Sequence, residues 1–313
     1  MLERAKEGVL NLARRAGYEI LKQSDPRLDA APSREPAEPP AGDLDWALDI
    51  VRDHAGNAQA AARIFDAVLS QTVAPHHHSM FWGDRLLTLD KSAAFRDDSR
   101  FAAAMQDVSS DTGATQYASP DGISWRLNTL VWAARNALNI PGDFVECGVY
   151  KGDMSWVITE LVDLASAKRT FYLYDTFEGF SPKYSSEDDF PLAPQFYHIA
   201  DRGYNVPHLY ESVCKRFSEK PYVKVIKGVV PDIILETSPN QIAFMHIDMN
   251  SAAPEVGALE LLFDRVALGG MVIFDDYGWF LHKKQKDAED RFMAERGQEI
   301  LELPTGQGLL IKR

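Results

Sequence analysis

The chain has 313 residues, of which 45% are hydrophobic and 25% are charged, so it is long enough to bury one full core and a second, smaller one. Its net charge of −13 argues against a nucleic-acid partner, because such a partner usually requires a basic face. The two cysteines give neither a disulfide framework nor a zinc pattern. No stretch suits a membrane span or a cleaved signal peptide, so we expect a cytoplasmic protein.

The first 43 residues are predicted to lie outside any compact domain. Residues 1–22 predict an amphipathic helix with several basic side chains, which can lie on a membrane surface, pack on a partner or dock on its own protein. Docking on its own protein is the favoured interpretation, so membrane contact is not expected. Residues 23–43 are rich in proline, alanine and acidic residues, and they predict a flexible linker.

Residues 44–140 show helical periodicity and predict a helical cap. Helices are predicted over 44–55, 58–69, 101–108 and 123–138, and Ser119-Pro120-Asp121 is a suitable start for the last of them. The run of three histidines, 76–78, is more typical of an ordinary loop than of a metal site, because neighbouring side chains point in different directions.

A strand, a glycine turn and a helix open the third region, residues 141–313. Residues 144–147 predict a buried strand, Gly148 and Gly152 predict a tight turn, and Asp153 or Ser155 can cap the helix that follows. In such a unit, backbone N–H groups and a partial positive charge face a ligand at the carboxyl end of the strand.

The spacing of this turn indicates which ligand it binds. A pyrophosphate-binding turn has the pattern G-x-G-x-x-G, whereas this chain has E-x-G-x-x-x-G starting at Glu146. The acid would repel a pyrophosphate, but it suits the ammonium and sulfonium groups of S-adenosylmethionine. The next strand, 171–174, ends in Asp175, whose carboxylate can accept hydrogen bonds from two ribose hydroxyls. Glu146 and Asp175 therefore predict a nucleoside site, with an ordinary structural turn as the alternative.

The stretch from 176 to 205 is long, irregular and rich in aromatic residues. A loop of this length inside a compact α/β domain is more often a lid or a binding loop than a simple connection. A helix is predicted over 208–217 and a strand over 223–226.

Two further strands end in acids. Strand 242–248 ends in Asp248, and strand 271–274 is followed by Asp275 and Asp276. In a parallel sheet with right-handed crossovers these ends lie at the same edge as the nucleoside site. Three converging carboxylates are costly without a cation, and oxygen ligands favour Mg²⁺. For each acid alone, a helix cap or a loop residue is the alternative.

The C-terminal region predicts a charged helix over 285–296 and an antiparallel hairpin of 300–303 with 309–312. The predicted fold is therefore α/β, with a mostly parallel Rossmann-like sheet, a C-terminal antiparallel hairpin and a preceding helical cap.

Four blocks of the sequence resemble the macrocin O-methyltransferase family in order and spacing: D-F-V-E-C-G-V-Y-K-G, L-Y-D-T-F-E-G-F, H-I-D-M-N and L-G-G-M-V-I-F-D-D-Y-G. The resemblance extends from about Ser119 to the C-terminus. It implies a class I methyltransferase fold, S-adenosylmethionine as the methyl donor and a Mg²⁺ ion that binds hydroxyls of the acceptor. Relatives act on the sugars of macrolide and aminocoumarin antibiotics, and similar domains occur in bacterial polysaccharide gene sets.

The resemblance also implies which residues form the site. The cofactor-binding residues are Glu146, Gly148, Tyr150, Gly152, Ser155 and Asp175, and the metal ligands are Asp248, Asp275 and Asp276. One position departs from the family, which usually has an acid where this chain has Asn250. His198 in the long loop is the first candidate for the general base, and His208, His246 and His282 are its rivals.

Three functions remain open on the sequence alone. The leading one is a Mg²⁺-assisted O-methyltransferase that acts on a hydroxyl of a sugar, a glycan or a natural product. The second is a catalytically weak, methyltransferase-like binding module of a glycan-assembly system. The third is an NAD-dependent sugar oxidoreductase, against which the missing G-x-G-x-x-G argues. Assembly into a homo-oligomer is left open.

Overall fold

The computed structural model describes residues 69–70, 73–111 and 122–313. The predicted N-terminal helix, the predicted linker over 23–43, almost all of the first two cap helices and the Ser119-Pro120-Asp121 motif lie outside the described residues. No helix in the described ranges has the length and apolar character needed to cross a membrane.

The chain divides into two compact units, Met1–Ala93 with Thr112–Ile123 and Ala94–Asp111 with Ser124–Arg313. The second unit thus includes two helices that precede the glycine turn. The periodicity of the sequence places both of them in the helical cap over 44–140.

The described part of the first unit contains an antiparallel hairpin of β1 (Met80–Gly83) and β2 (Leu86–Leu89). Asp84 and Arg85 connect the strands and have φ values of 48° and 62°. Two consecutive positive φ angles are typical of the tight turns that suit the twist of a hairpin. The sequence prediction of a helical cap over 44–140 did not include this hairpin. The helical periodicity behind that prediction comes from the segments on either side of the two strands.

The second unit consists of a seven-stranded sheet and, in the described ranges, seven α-helices. The strands are β3 (Asp143–Cys147), β4 (Phe171–Asp175), β5 (Val223–Lys227), β6 (Ile242–Ile247), β7 (Val266–Phe274), β8 (Leu301–Glu302) and β9 (Gly308–Ile311). The helices are α1 (Ser99–Asp111), α2 (Ser124–Ala137), α3 (Asp153–Leu161), α4 (Gln195–Tyr204), α5 (Leu209–Arg216), α6 (Ala252–Leu262) and α7 (Lys283–Ala294).

The strand order is β5-β4-β3-β6-β7-β9-β8. The first five strands run parallel, and β9 and β8 form the antiparallel hairpin predicted at the C-terminus. The central strand β6 is buried along its whole length, as expected for a parallel strand covered on both faces. The chain order reverses between β3 and β6, so a crevice for a ligand is expected outside the carboxyl ends of these strands.

Helix α2 belongs to the sheet unit because its apolar side is buried there. Leu127, Leu130, Val131 and Ala134 are almost inaccessible to solvent, and the helix packs on β7 and α3. Helix α1 packs on α3 in turn.

The stretch predicted as irregular, 176–205, contains helix α4. The helix turns Ala200 inward, and Phe180 stacks on Tyr197 with 5.3 Å between ring centroids and meets Tyr204 edge to face. Pro194 immediately before the helix and Gly203 within it obscure the helical periodicity, which explains why the sequence did not reveal it.

Candidate active site

Backbone hydrogen bonds bring the ends of four parallel strands together at one edge of the sheet. The N–H of Asp248 donates to the last carbonyl of β3 (2.8 Å), and the N–H of Asp275 donates to the last carbonyl of β6 (2.9 Å). The N–H of Gly148 donates to the carbonyl of Tyr174 in β4 (2.9 Å). The predicted donor turn and the predicted metal ligands are therefore adjacent.

The glycine turn requires its glycines for two different reasons. Gly148 has φ of +89°, and a Cβ atom there would overlap the carbonyl oxygen of Asp248. Gly152 has φ of +78° and is the N-cap of α3. No side chain caps this helix end, so its first N–H groups remain available to a ligand.

The helix cap differs from the prediction, which gave Asp153 or Ser155. Both residues lie inside the first turn of α3, after the cap residue Gly152. The carboxylate of Asp153 instead accepts a hydrogen bond of 2.6 Å from Arg216. The Oγ atom of Ser155 is buried and has no hydrogen-bond partner among the described residues.

Asp175 binds the backbone of the turn. Its Oδ2 accepts the N–H groups of Val149 (2.6 Å) and Tyr150 (2.8 Å), and its Oδ1 accepts the N–H of Phe177 (2.6 Å). The hydroxyl of Thr176 also lies 3.5 Å from Oδ1, but it donates its hydrogen to the carbonyl of Gly179 (2.5 Å). A carboxylate offers about four acceptor positions, so about one remains for a further hydrogen bond. The predicted contact of Asp175 with two ribose hydroxyls stays a prediction, and the remaining acceptor position suits one of them.

Tyr150 connects the turn to helix α4. It has φ of +48°, its hydroxyl donates to the carbonyl of Gly203 (3.2 Å), and its ring meets Tyr204 edge to face. The donor turn and α4 therefore share contacts.

Glu146 lies beneath the turn rather than facing solvent. It is opposite His246 in the register of β3 and β6, and its Oε1 lies 2.8 Å from the Nδ1 atom of His246. Burial raises the pKa of Glu146, and the hydrogen bond from His246 only partly offsets this effect. Its Oε2 is sealed from solvent and has no partner within the described ranges, so an ammonium group could reach it only if the turn moved.

The ring of His246 lies between two carboxylates, with Nδ1 2.8 Å from Glu146 and Nε2 3.5 Å from Asp275. Burial alone would favour the neutral ring, but these two carboxylates outweigh it and raise the pKa of His246 to about 10.

Asp275 is the most strongly held carboxylate of the site. Its Oδ2 accepts a hydrogen bond of 2.5 Å from Arg126, and its Oδ1 accepts one of 2.8 Å from Gln307. Burial opposes its charge, yet Arg126 and His246 keep its pKa below the ordinary range.

Asp276 follows Asp275 and makes weaker contacts than its neighbour does. Its Oδ1 lies 3.4 Å from Nη1 of Arg126, and its Oδ2 lies 3.9 Å from Nε2 of His282.

Asp248 is the carboxylate whose negative charge is least balanced by hydrogen bonds and cationic side chains. It is partly exposed, and its Oδ1 accepts a hydrogen bond of 3.3 Å from the amide of Asn250. Desolvation and the nearby charges of Asp275 and Asp276 raise its pKa well above the ordinary value. Asp248 is therefore the side chain whose charge would gain most from a bound cation.

The ligand atoms of His246, Asp248 and Asp275 lie within 4.8 Å of one another. This group contains two of the three predicted metal ligands, and it contains His246 where the sequence predicted Asp276. Glu146 and Asp276 lie beside the same group, so four carboxyl groups stand close to a single guanidinium, that of Arg126, and to the ring of His246. The excess of carboxyl groups and the oxygen-rich donor set fit a hard divalent cation.

Sequence reasoning missed two residues of the site, Arg126 and Gln307, and gave His246 only as a rival general base. The position of His246 had a signal, because it stands two positions before Asp248 and alternation along a strand places such residues on the same side. Arg126 in α2 and Gln307 before β9 reach the cluster from distant parts of the chain and belong to no motif.

The candidate bases occupy different environments. His198 is exposed on α4, with Nε2 2.5 Å from Oε1 of Glu187. His208 is exposed at the N-cap of α5. His282 is buried against the rings of Phe190 and Phe196.

Comparison with known proteins identifies the family. Residues 85–301 match the family described as macrocin O-methyltransferase (TylF). The structure of the O-methyltransferase NovP is similar, with 18% identity, a TM-score of 0.53 and coverage of 82% of this chain and 99% of that one. The structure of CalS11, a calicheamicin methyltransferase, has 18% identity, a TM-score of 0.50 and coverage of 71% and 93%. No curated protein matches the chain.

These likenesses confirm two predictions from the sequence. The two solved structures share the fold, which confirms the class I methyltransferase sheet with its C-terminal hairpin. The family match spans more than half of the sequence and includes all four blocks on which the resemblance was based. The chain therefore belongs to the macrocin O-methyltransferase family.

Proposed function

We propose that the protein transfers a methyl group from S-adenosylmethionine to a hydroxyl of a sugar or of another hydroxyl-bearing natural product. Mg²⁺ would be held by the acidic cluster, by which we mean Asp248, Asp275 and Asp276. The observation that carries this proposal is the direct contact between the glycine turn after β3 and the carboxylate-bearing end of β6, where Gly148 leaves no room for a side chain beside Asp248. A donor at the turn and an acceptor at the cluster would thus be neighbours, as an in-line transfer requires.

The donor half of the site fits a nucleoside with a sulfonium group. The uncapped first turn of α3 offers N–H groups, Asp175 retains about one acceptor position, and the buried Oγ of Ser155 lacks a partner in the described part of the chain. The carboxyl group of Glu146 lies beneath the turn and offers acceptor oxygens, which would favour a cationic donor over a pyrophosphate.

The acceptor half fits a metal-bound hydroxyl. A bound Mg²⁺ would lower the pKa of the acceptor hydroxyl and so make it a better nucleophile. Asp248 is the ligand on the open side of the cluster, whereas Arg126 and His246 hold Asp275 in place from the protein side.

The experiment that tests this function is a calorimetric titration with S-adenosylhomocysteine, with Mg²⁺ and again with EDTA, and with NAD as the control ligand. We expect S-adenosylhomocysteine to bind and NAD not to bind, because the turn lacks the pyrophosphate pattern. Methyl transfer to nucleotide sugars and glycans would then be screened with and without Mg²⁺. Absence of S-adenosylhomocysteine binding under both conditions would reject the methyltransferase assignment.

A binding module without catalysis is the second candidate, and Asn250 is the residue that favours it. Its amide Nδ2 donates to Asp248 in place of a family acid, which reduces the negative charge offered to a metal. Retained binding of S-adenosylhomocysteine without any binding of Mg²⁺ would support this candidate.

His198 is our proposed general base, because it lies on helix α4 in the stretch predicted as a binding loop and its exposed imidazole can approach an acceptor. The substitution His198→Gln should lower kcat by about 10²–10⁴-fold, the usual contribution of a general base, without changing the affinity for S-adenosylhomocysteine. The matched substitution His208→Gln removes a second exposed histidine and should leave kcat close to that of the wild type. A full loss of rate in His208→Gln alone would assign the base to His208 instead.

A further inference from the structure

Two glutamates that the site does not use are buried where helices α6 and α7 pack together. Glu255 on α6 and Glu289 on α7 are both 0% exposed, and Gln285, one turn before Glu289, is 2% exposed. Oε2 of Glu255 and both carboxylate oxygens of Glu289 have no conventional hydrogen-bond partner among the described residues. Two neighbouring carboxylates without water or a cation cannot both remain charged at low cost.

A proton shared by the two glutamates explains how their buried oxygen atoms can lack other hydrogen-bond partners. Burial and the repulsion between the two groups raise the pKa of Glu255 well above its ordinary value, and burial raises the pKa of Glu289 to about 7. The other charged groups nearby are Asp276 beside Glu255, and Asp290 and Lys286 beside Glu289. The pair therefore keeps at least one proton at neutral pH, and this proton can bridge the oxygens that otherwise lack partners.

The pair is connected to the acidic cluster through a single backbone group. Oε1 of Glu255 accepts the N–H of Met249 with a distance of 2.9 Å. Met249 is the middle residue of the turn after β6, between Asp248 and Asn250. Asn250 has φ of +59°, a conformation that costs free energy unless neighbouring contacts maintain it. The hydrogen bond from Met249 to Glu255 is such a contact.

We propose that Glu255 and Glu289 are positioning residues for the metal site: they share a proton and, through the N–H of Met249, fix the turn that directs Asp248 toward the cation. This inference rests on the proposed function, because it takes Asp248 to be a metal ligand. Neither glutamate is required to touch the metal, the donor or the acceptor.

The first test measures metal affinity with Mn²⁺ alone as the probe, by titration followed with electron paramagnetic resonance. Glu255→Met removes the acceptor of the Met249 N–H at nearly the same volume, and we expect Mn²⁺ to bind about 10–100-fold more weakly, as is typical for loss of an outer-shell partner. Glu255→Gln retains a carbonyl oxygen and should bind Mn²⁺ nearly as tightly as the wild type. Both variants should bind S-adenosylhomocysteine with unchanged affinity.

The second test addresses the shared proton. A carboxyl whose pKa is raised on folding contributes stability that is fully present below its unfolded pKa and is lost as the pH rises through its folded pKa, which for Glu289 means from about 4.5 to about 7. Glu289→Gln remains neutral and lacks this loss. The Tm of Glu289→Gln relative to the wild type should therefore increase between about pH 5 and about pH 8.

A double variant separates a positioning role from a folding role. Replacing both members of a buried polar pair by apolar groups is often close to neutral for stability, so Glu255→Met with Glu289→Met should fold and still bind Mn²⁺ weakly. Wild-type Mn²⁺ affinity in Glu255→Met or in the double variant, or Tm curves of Glu289→Gln and wild type that stay parallel with pH, would overturn the inference. If the wild-type protein itself bound neither Mn²⁺ nor S-adenosylhomocysteine, the proposed function would fail instead.

Discussion

The substitution Asp275→Asn is expected to lower the free energy of unfolding by about 3–5 kcal/mol and to abolish methyl transfer, because it removes the buried carboxylate that Arg126 and His246 share. Asp275 accepts hydrogen bonds from Arg126 and Gln307 and lies 3.5 Å from the ring of His246. An asparagine has the same shape but cannot balance Arg126 and His246. It would also remove one of the proposed ligands of the cation.

Chemical denaturation and a methyl-transfer assay would measure both effects, and two other Asp→Asn variants serve as comparisons. Asp276 makes only long contacts, 3.4 Å with Arg126 and 3.9 Å with His282, so Asp276→Asn should fold nearly as well as the wild type and still lose Mn²⁺ affinity. Asp232 is exposed and pairs with Lys183, so Asp232→Asn should change neither property. A stable, active Asp275→Asn protein would contradict the central role assigned to this carboxylate.

The cluster contains both an arginine and the proposed metal site, and the charges show why the two are compatible. Arg126 forms ion pairs with Asp275 (2.5 Å) and Asp276 (3.4 Å), whereas Asp248 on the open side forms no direct ion pair among the described residues. The arginine therefore compensates the inner carboxylates, and Asp248 is left to bind a ligand.

The parts of the site that were predictable from sequence are those determined by local pattern. Each strand that ends in Asp175, Asp248 or Asp275 appears in the sequence as an apolar run followed by an acid. In a parallel sheet, hydrogen bonding between neighbouring strands then places these ends side by side. The resemblance to a family added the identity of the ligands, and the structure added the distances.

The parts that were not predictable depend on tertiary packing. Arg126 resembles any basic residue of an amphipathic helix, and its function follows only from the packing of α2 on β7. Glu255 and Glu289 have the pattern of ordinary surface acids on helices, and only the contact between α6 and α7 shows that both are buried. Pairs that are distant in sequence leave no periodic signal.

The second large effect is expected for Gly148→Ala, which should impair the donor site and the metal site together. An added Cβ atom would overlap the carbonyl of Asp248, which is backbone and cannot rotate away as a side chain can. The φ of +89° adds a strain of about 1–2 kcal/mol for any residue with a Cβ atom, which alone corresponds to roughly a tenfold weakening of a conformation-dependent affinity. To relieve the overlap, the turn and the end of β6 must separate.

Titrations with S-adenosylhomocysteine and with Mn²⁺ on the same preparation would detect this coupled loss, and circular dichroism would verify that the sheet remains folded. Gly203→Ala is the matched control, because a Cβ atom at position 203 in α4 has no neighbour within 4 Å and its backbone has no positive φ. It should bind both ligands as the wild type does. If Gly148→Ala lost only one of the two affinities, the donor turn and the acidic cluster would not form the single site that their contact indicates, and the transfer of a methyl group directly between them would require a different geometry.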